Sequence, residues 1–386
     1  MTKTLAEIIQ SGEDSAVEFK SAEFRNDSLA KEIVAFSNMS GGSIYIGIED
    51  DGAVSGVSVK GLEERVINIC RNLVEPSVIP EIYSHIAPSG AKVVEVCITK
   101  GSFKPYKVKN THRFYVRIGS VSIEPSTQEL VRLLQSGGMY HFEVTSLPGT
   151  SLADIDLLRF RIYCEHYRKV EFDDTAVDSL LSNWQLTDMQ GQCTFTGALF
   201  FGKSIDRFLP QAGIQLFRFE GRDRTGTILD QRDLSEPIPD SIDAAVKFIQ
   251  AHSAVKSFFP ADSVHRVDVP DYEIFVIREL VVNAFCHRDW SVAGQKIRLS
   301  LFDDRLEIFS PGALPNTLSL ANALAGVSYY RNPNIAQLCK DYGLAEKAGR
   351  GLQKIFRNFR ESNLPAPEVV NDPSFFQVVL KKMNIN

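Results

Sequence analysis

The spacing of apolar residues changes period several times along the chain, and each change marks an element. In Ala16-Val-Glu-Phe-Lys20 polar and apolar positions alternate, which predicts a short strand. From Ser28 to Met39 the apolar Leu29, Ile33 and Phe36 recur at helical spacing. Gly41 and Gly42 end that helix, and Ser43 to Ile48 follows as a buried strand. Glu49-Asp-Asp-Gly52 is a turn, Leu62 to Leu73 a second helix, and Lys92 to Thr99 and Arg113 to Ile118 are further strands. Residues 1–135 thus read as a mixed α/β domain. Pro148-Gly-Thr-Ser151 reads as a linker, with Ser151 and Asp154 as a capping box opening a helix to about Tyr167. A helix near Thr175–Trp184 leads to strands at Cys193–Phe201, Ala212–Glu220 and Thr227–Arg232, then a helix over about 240–257 and a connector over 263–270. In the helix that follows, Ile274, Ile277, Val281 and Ala284 share one side, and Glu279, Asn283 and His287 share the other. Glu307 to Pro315 is an apolar strand running into a Gly/Pro turn, and Gly349-x-Gly351 precedes a helical run from Leu352 to Phe359.

The chain has 386 residues, a net charge of −6 and an ordinary soluble composition, so any nucleic-acid contact has to use a local basic patch. The six cysteines contain no C-x-x-C pair, which argues against a zinc ribbon or disulfide framework and suits a reducing cytosol. No stretch has the length of a membrane span or the apolar core of a signal peptide, so a cytoplasmic protein without a membrane partner is expected.

Glu279 and Asn283 are the first chemical candidates. An amide oxygen is a hard ligand for Mg²⁺, and a carboxylate one turn away can orient or deprotonate a water. By spacing alone, a helix with an ordinary polar face is the better explanation of the pair, because Glu-x-x-x-Asn is short. Glycines before a helix, as at Gly349 and Gly351, let backbone N–H groups face an anion. Gly197-Ala-Leu-Phe-Phe-Gly-Lys-Ser204 matches a phosphate-binding P-loop letter for letter. We reject it, because Leu199, Phe200 and Phe201 belong in a core and read as the end of a buried strand, and Pro210 cuts short the helix that should follow. The chain is therefore not expected to be a P-loop helicase. His287-Arg-Asp289 imitates a kinase catalytic loop without the asparagine that should follow it. Asn334 to Gly343 could be a helix-turn-helix fragment, but its place favours a lid helix.

The order of helix, strand, Gly turn, variable segment and Gly-x-Gly helix resembles the GHKL ATPase superfamily. The resemblance is carried by Asn283-Ala284, His287-Arg288-Asp289, Ser310-Pro-Gly312, Leu314-Pro315, Arg331-Asn-Pro333, Gly349-x-Gly351 and Leu364-Pro-Ala-Pro367. More closely, residues 270–382 resemble the ATPase-like module at the C-terminus of bacterial proteins labelled RecG-like or transcriptional regulators. The resemblance implies a Bergerat-like α/β sandwich that binds Mg-ATP. It makes Asn283 the Mg²⁺ ligand, Glu279 the general base and Gly312 the glycine of the adenine-side box. Gly349 and Gly351 would cradle phosphates with Arg350 or Lys347, residues 316–348 would form a lid, and Arg331 would contact phosphate. One departure stands out: Ser310 occupies the place of the family's adenine-binding aspartate, while Asp303 and Asp304 sit on the preceding hairpin turn.

The N-terminal third resembles the Schlafen/AlbA-type domain through Glu18-Phe-Lys20, Ala35-Phe-Ser-Asn38, Gly41-Gly42, Ile46-Gly-Ile48, Asp50-Asp-Gly52, Pro105-Tyr106 and Tyr115-Val-Arg-Ile-Gly-Ser120. That resemblance implies a nucleic-acid-facing role. Residues 100–120 hold Lys100, Lys104, Lys107, Lys109, Arg113 and Arg117 with no acid, interleaved with Phe103, Tyr106, Phe114 and Tyr115. Cations hold phosphates and rings stack on bases, so this run is the expected nucleic-acid surface, with a solvated hairpin as the plain alternative. In Schlafen members that cut RNA, two glutamates five apart and a later aspartate form a metal-dependent nuclease site. Glu13, Glu18 and Asp50 (or Asp51) match that spacing, and Mg²⁺ or Mn²⁺ would serve them.

The expected architecture is multi-domain, α/β and α+β. It comprises a Schlafen/AlbA-type domain at 1–140, a middle α+β connecting segment at 150–262 and a GHKL-like domain at 263–386. The expected function is an ATP-responsive nucleic-acid-binding protein, a transcriptional regulator or defence component, at least dimeric, acting on DNA or RNA. A metal-dependent endonuclease and a degenerate ATPase serving as an oligomerisation scaffold are the alternatives.

Overall fold

The computed structural model describes residues 4–258, 265–314, 322, 329–345, 351–361, 365–372 and 374–382. The chain forms two compact units, 1–140 and 141–386.

In the first unit, α1 (Leu5–Ser11) opens with a Thr4/Glu7 capping box. Then come β1 (Val17–Lys20), α2 (Asn26–Asn38), β2 (Gly41–Ile46), α3 (Leu62–Asn72), β3 (Val74–Glu75), β4 (Glu81–Ile86) and β5 (Lys92–Thr99). Three short pieces, β6 (Lys107–Val108), β7 (Arg113–Phe114) and the hairpin β8–β9 (Val116–Ile118, Val121–Ile123), precede α4 (Thr127–Ser136). The main sheet has the order β1-β2-β5-β4. Only β1 and β2 run parallel, so α2 serves as their crossover. Leu29, Ile33 and Phe36 of α2 are fully buried with Ile44, Ile46, Val94 and Val96 of the sheet. The expected single strand over 113–118 is broken into β7 and β8, which belong to different small sheets.

The second unit starts with two 3₁₀ turns (Phe142–Val144, Leu152–Asp154), α5 (Leu157–Ile162) and a π-turn (Tyr163–Arg168). The Ser151/Asp154 capping box exists, but it opens a 3₁₀ turn and not the long helix expected. There follow α6 (Val177–Asn183), α7 (Phe195–Phe201), α8 (Ile205–Phe208), β10 (Ile214–Phe219), β11 (Ile228–Leu234), α9 (Ile238–His252), and the hairpin β12–β13 (Val255–Phe258, Val267–Pro270). Next come α10 (Ile274–His287), β14 (Ile297–Leu301), β15 (Arg305–Pro311), α11 (Pro333–Asp341), α12 (Gly351–Glu361), β16 (Glu368–Asn371) and β17 (Phe375–Lys381). Six strands make one mixed sheet, β11-β10-β14-β15-β17-β16. β10 and β14 are its parallel pair, so α9, the β12–β13 hairpin and α10 form the crossover. Strand alternation sends Leu216, Leu299, Ile308 and Val378 to one face, where they share a core with Ala245 and Phe248 of α9 and Ile277 and Val281 of α10. Within the segment expected as a connector, residues from Ile155 to Ile249 pack in this same core as the residues that follow them.

The apolar run at 193–201 is a helix and not the expected strand. Thr194 caps it by accepting from the Gly197 N–H at 3.1 Å, and every residue of α7 is buried. A short continuous apolar run does not distinguish helix from strand by period. The core position of Leu199, Phe200 and Phe201 is what removes the P-loop reading. Likewise α11 falls inside the span expected as a lid. Its Ile335, Ala336, Leu338 and Cys339 are buried, and the carboxylate of Glu143 caps it by accepting from the N–H groups of Asn334 and Ile335 at 2.8 Å each. One face of this helix therefore belongs to the core. The rest of that span, 316–321, 323–328 and 346–348, lies outside the described residues.

Candidate functional site

In the first unit the structure places the predicted acids and cations differently from expectation. Glu18, on β1, is buried. It is bound by Lys20 and, at 2.5 Å, by Arg117 Nη1, which also reaches Glu32 of α2 at 3.2 Å. The same guanidinium donates to the carbonyls of Asp14 (2.9 Å) and Val17 (2.8 Å), and Ser122 Oγ donates to Glu32. Arg117 is thus an internal clasp between β8, β1 and α2. Glu13 accepts from the Phe19 N–H at 2.8 Å, and burial raises its pKa. Asp50 is exposed on the turn whose Asp51 accepts from the Ala53 N–H at 2.9 Å. Among the described residues no three His, Cys, Asp or Glu side chains are grouped to hold a metal ion, so Glu13, Glu18 and Asp50 form no metal cluster.

Lys104 is 1% exposed, and its ammonium donates to the carbonyls of Asn38 and Met39 at the end of α2. Burial, then the charge of Lys100, pushes its pKa down to about 7. Tyr106 is buried too, and Asn38 bonds both its N–H (2.7 Å) and its carbonyl (2.8 Å). Lys107 lies 3.4 Å from Glu75 and Arg113 2.8 Å from Glu124, while Lys109 is exposed. The six-cation run is therefore not one binding surface. Lys104, Tyr106 and Arg117 turn inward and are structural residues: the coil before β6 binds the end of α2 through Lys104 and the Tyr106 backbone, and Arg117 on β8 closes on Glu18 and Glu32.

The second unit brings its candidates together. Glu279 on α10 is buried, and Asn283, one turn on, donates through Nδ2 to Glu279 Oε1 at 3.3 Å. A planar amide that turns its nitrogen to the carboxylate turns Oδ1 away from it. Gly351, the first residue of α12, packs directly on that carboxylate: a Cβ there would lie 1.5 Å from Glu279 Oε1. Carboxylate, amide and helix N-terminus thus meet at one point. The arrangement suits a metal-bound polyphosphate, with Asn283 Oδ1 as a hard ligand and the α12 terminus favouring negative charge. Gly349 and Arg350, and Lys347 with them, lie outside the described residues.

The other end of α10 is braced. Ser310 Oγ donates to the Ala284 carbonyl at 2.9 Å. Gly312 has φ +96°, and a Cβ on it would lie 2.5 Å from both Asp289 Cβ and Arg331 Nη1. Arg331 donates to the carbonyls of His287 (3.0 Å) and Ala313 (2.7 Å), so it ties the helix end to the glycine turn and is not placed as a phosphate contact. Its neighbour Asn332, of the Arg331-Asn-Pro333 motif, donates to the carbonyls of Cys286 and Arg288 at 2.9 and 2.8 Å. Arg288 is fully buried over the Trp290 ring, at 4.4 Å, and donates to three carbonyls of its own loop. Asp303 and Asp304 sit at the far hairpin, paired with Arg218 (2.5 Å) and Arg305 (3.1 Å). Stretches of mixed charge in the sequence thus turn out to be backbone braces.

His287 stacks on Tyr330, with centroids 5.8 Å apart and planes 5° from parallel. Burial, then the charge of Arg331, lowers its pKa from 6.5 to about 4. Between these values an unfolded chain binds a proton that the folded one refuses, so stability of the second unit falls as pH drops from 6.5 toward 4. Urea midpoints measured across this window should decline for wild type and decline less for His287→Gln. Equal slopes would show that His287 is not the group responsible.

The second unit is an α/β domain: a mixed sheet backed by helices, with the Glu-x-x-x-Asn helix α10 packed against α12. Two family models match the chain. One, described as "Putative ATP-dependent DNA helicase recG C-terminal", covers residues 294–380, from just before β14 into β17. The other, Schlafen AlbA_2, covers residues 13–126. The chain carries a Schlafen AlbA_2 domain followed by a RecG-C-terminal HATPase domain. The DIP2311 protein of Corynebacterium diphtheriae is similar in fold, with TM-score 0.50 and 19% identity over 98% of this chain and 79% of that one. The N-terminal domain of a RecG-related protein of Nitrosomonas europaea aligns with 33% of this chain and 94% of its own, at 18% identity and TM-score 0.26. No curated protein matches the chain.

Proposed function

We propose that the protein is an ATP-responsive nucleic-acid-binding protein that holds a Mg-nucleotide on its second unit. The observation carrying this reading is the meeting of Glu279, Asn283 and Gly351. Asn283 Oδ1 would ligate Mg²⁺, and the first turn of α12 would face the phosphates. The Glu279 carboxylate would hold a water and take its proton. The Mg-nucleotide, when bound, supplies the phosphoryl group that such a water attacks. Ser310, spent on the Ala284 carbonyl, gives the base no acidic partner. The nucleic-acid half of the reading is supported by the Schlafen AlbA_2 match.

Calorimetric titration of a non-hydrolysable ATP analogue with Mg²⁺ tests the site. Wild type should bind saturably, Asn283→Ala should lose at least tenfold in affinity, about 1.4 kcal/mol, and Glu279→Gln should keep most binding but lose any hydrolysis. Equal affinity in wild type and Asn283→Ala would sink the reading.

A further inference from the structure

We propose that the face of the six-stranded sheet turned away from α9 and α10 binds single-stranded nucleic acid, with Phe217, Phe309 and Phe375 stacking bases and Arg298 contacting phosphate. This rests on the nucleic-acid half of the function proposed above and names its surface.

The register defines the face. Gln215, Arg298, Phe309 and Gln377 lie in one cross-strand row over β10, β14, β15 and β17. Phe217 stands two residues along from Gln215 on the same face, and Phe375 two residues from Gln377. None of these side chains joins the core on the helix side, and Phe217, Phe309 and Phe375 are each partly exposed. Phe309 and Phe375 pair with centroids 5.2 Å apart. At one end the face is closed, where Phe219 stacks on Phe302 and Arg305 covers Phe302 at 4.1 Å.

Arg298 is the informative residue. Its guanidinium lies 4.8 Å from the Phe309 ring centre, and its Nε is buried without a hydrogen-bond partner among the described residues. Burial and then the nearby Arg224 disfavour its charge, while Glu307 favours it, but that carboxylate is already bound by Arg224 and Arg305 at 2.8 Å each. A half-buried guanidinium whose Nε donates to nothing among the described residues, and whose neighbouring carboxylate is shared with other arginines, gains from a ligand oxygen that can accept from it. The ligand that fits has flat apolar faces and an anionic link between them. The strands of Phe217 and Phe309 are two sheet spacings apart, about 10 Å, with Arg298 on the strand between them. That suits two bases splayed either side of a phosphate. Gln377 puts an amide at one end of the row, where it can meet a base edge, while at the other end Gln215 donates to Asp233 at 3.0 Å.

The test is fluorescence anisotropy of end-labelled thymidine and uridine homo-oligonucleotides with the full chain, over a salt series. Wild type should bind. Phe309→Ala should weaken binding about five- to a hundredfold, and Arg298→Gln should weaken it and lower the slope of log affinity on log salt by about one. Both substitutions lie on the outer face, and melting curves check that each variant is folded. Unchanged affinity in folded variants would overturn this surface while leaving nucleic-acid binding elsewhere standing. No binding by wild type would overturn both that surface and the nucleic-acid half of the function. A wild-type dimer that Phe309→Ala dissociates would assign the face to a second copy of the chain. The Mg-nucleotide titration of the same variants should be unchanged, so failure of the nucleotide site is read separately.

Discussion

Arg117→Ala is expected to destabilise the first unit by about 3–5 kcal/mol, because it removes the guanidinium that two buried carboxylates share. The Arg117 side chain is 1% exposed, and it alone reaches both Glu18 and Glu32 while serving the Asp14 and Val17 carbonyls. Its loss leaves Glu32 with the Ser122 hydroxyl and Glu18 with Lys20. Urea unfolding followed by hydrogen exchange of the β1 and β8 amides would report it. Replacing Arg117, Glu18 and Glu32 together with methionine should recover much of the loss, since apolar isosteres of a buried ionic triad are often neutral or better. A loss below about 1 kcal/mol in the single variant would place the triad in the class of weak solvated pairs. The same experiment guards against a misreading. Loss of nucleic-acid binding in Arg117→Ala would reflect unfolding and not a phosphate contact.

Gly351→Ala should abolish Mg-nucleotide binding and cost about 1–3 kcal/mol of stability. The added methyl would be placed 1.5 Å from Glu279 Oε1, so either the carboxylate or the first turn of α12 has to move. A double-mutant cycle separates the two consequences. In Glu279→Ala the carboxylate is gone, and adding Gly351→Ala should then be nearly neutral for stability. Binding should recover in part in the double variant, because the methyl no longer meets the carboxylate and α12 can seat as before. If Gly351→Ala binds nucleotide normally, α12 does not form part of the site.

How much of this was legible in the sequence depends on the range of the interaction. The helix carrying Glu279 and Asn283 follows from the recurrence of Ile277, Val281 and Ala284, and its four-residue spacing already puts carboxylate and amide on one face. The strand at 17–20, the helix after it and the glycines that end that helix are equally local. Family motifs in both parts of the chain, such as Glu18-Phe-Lys20 and Ser310-Pro-Gly312, mark the domains that the family models match. Absence of a P-loop could also be argued locally, though through a predicted strand where the structure has the helix α7.

Tertiary structure alone decided what the charged side chains do. A sequence lists Lys104, Arg117, Arg288 and Arg331 as cations. Only the fold shows that each ends against backbone carbonyls or buried carboxylates, where desolvation makes a partner obligatory. In the same way, strand pairing put Arg298 in one row with Phe309, from segments that share no local motif, and left its Nε without a partner. Local spacing determined the elements and the Glu279–Asn283 pair, because helix and strand geometry repeat over a few residues. Which cations brace the fold, and which keep an unpartnered donor, depends on partners a hundred or more residues away that only the folded chain brings within reach.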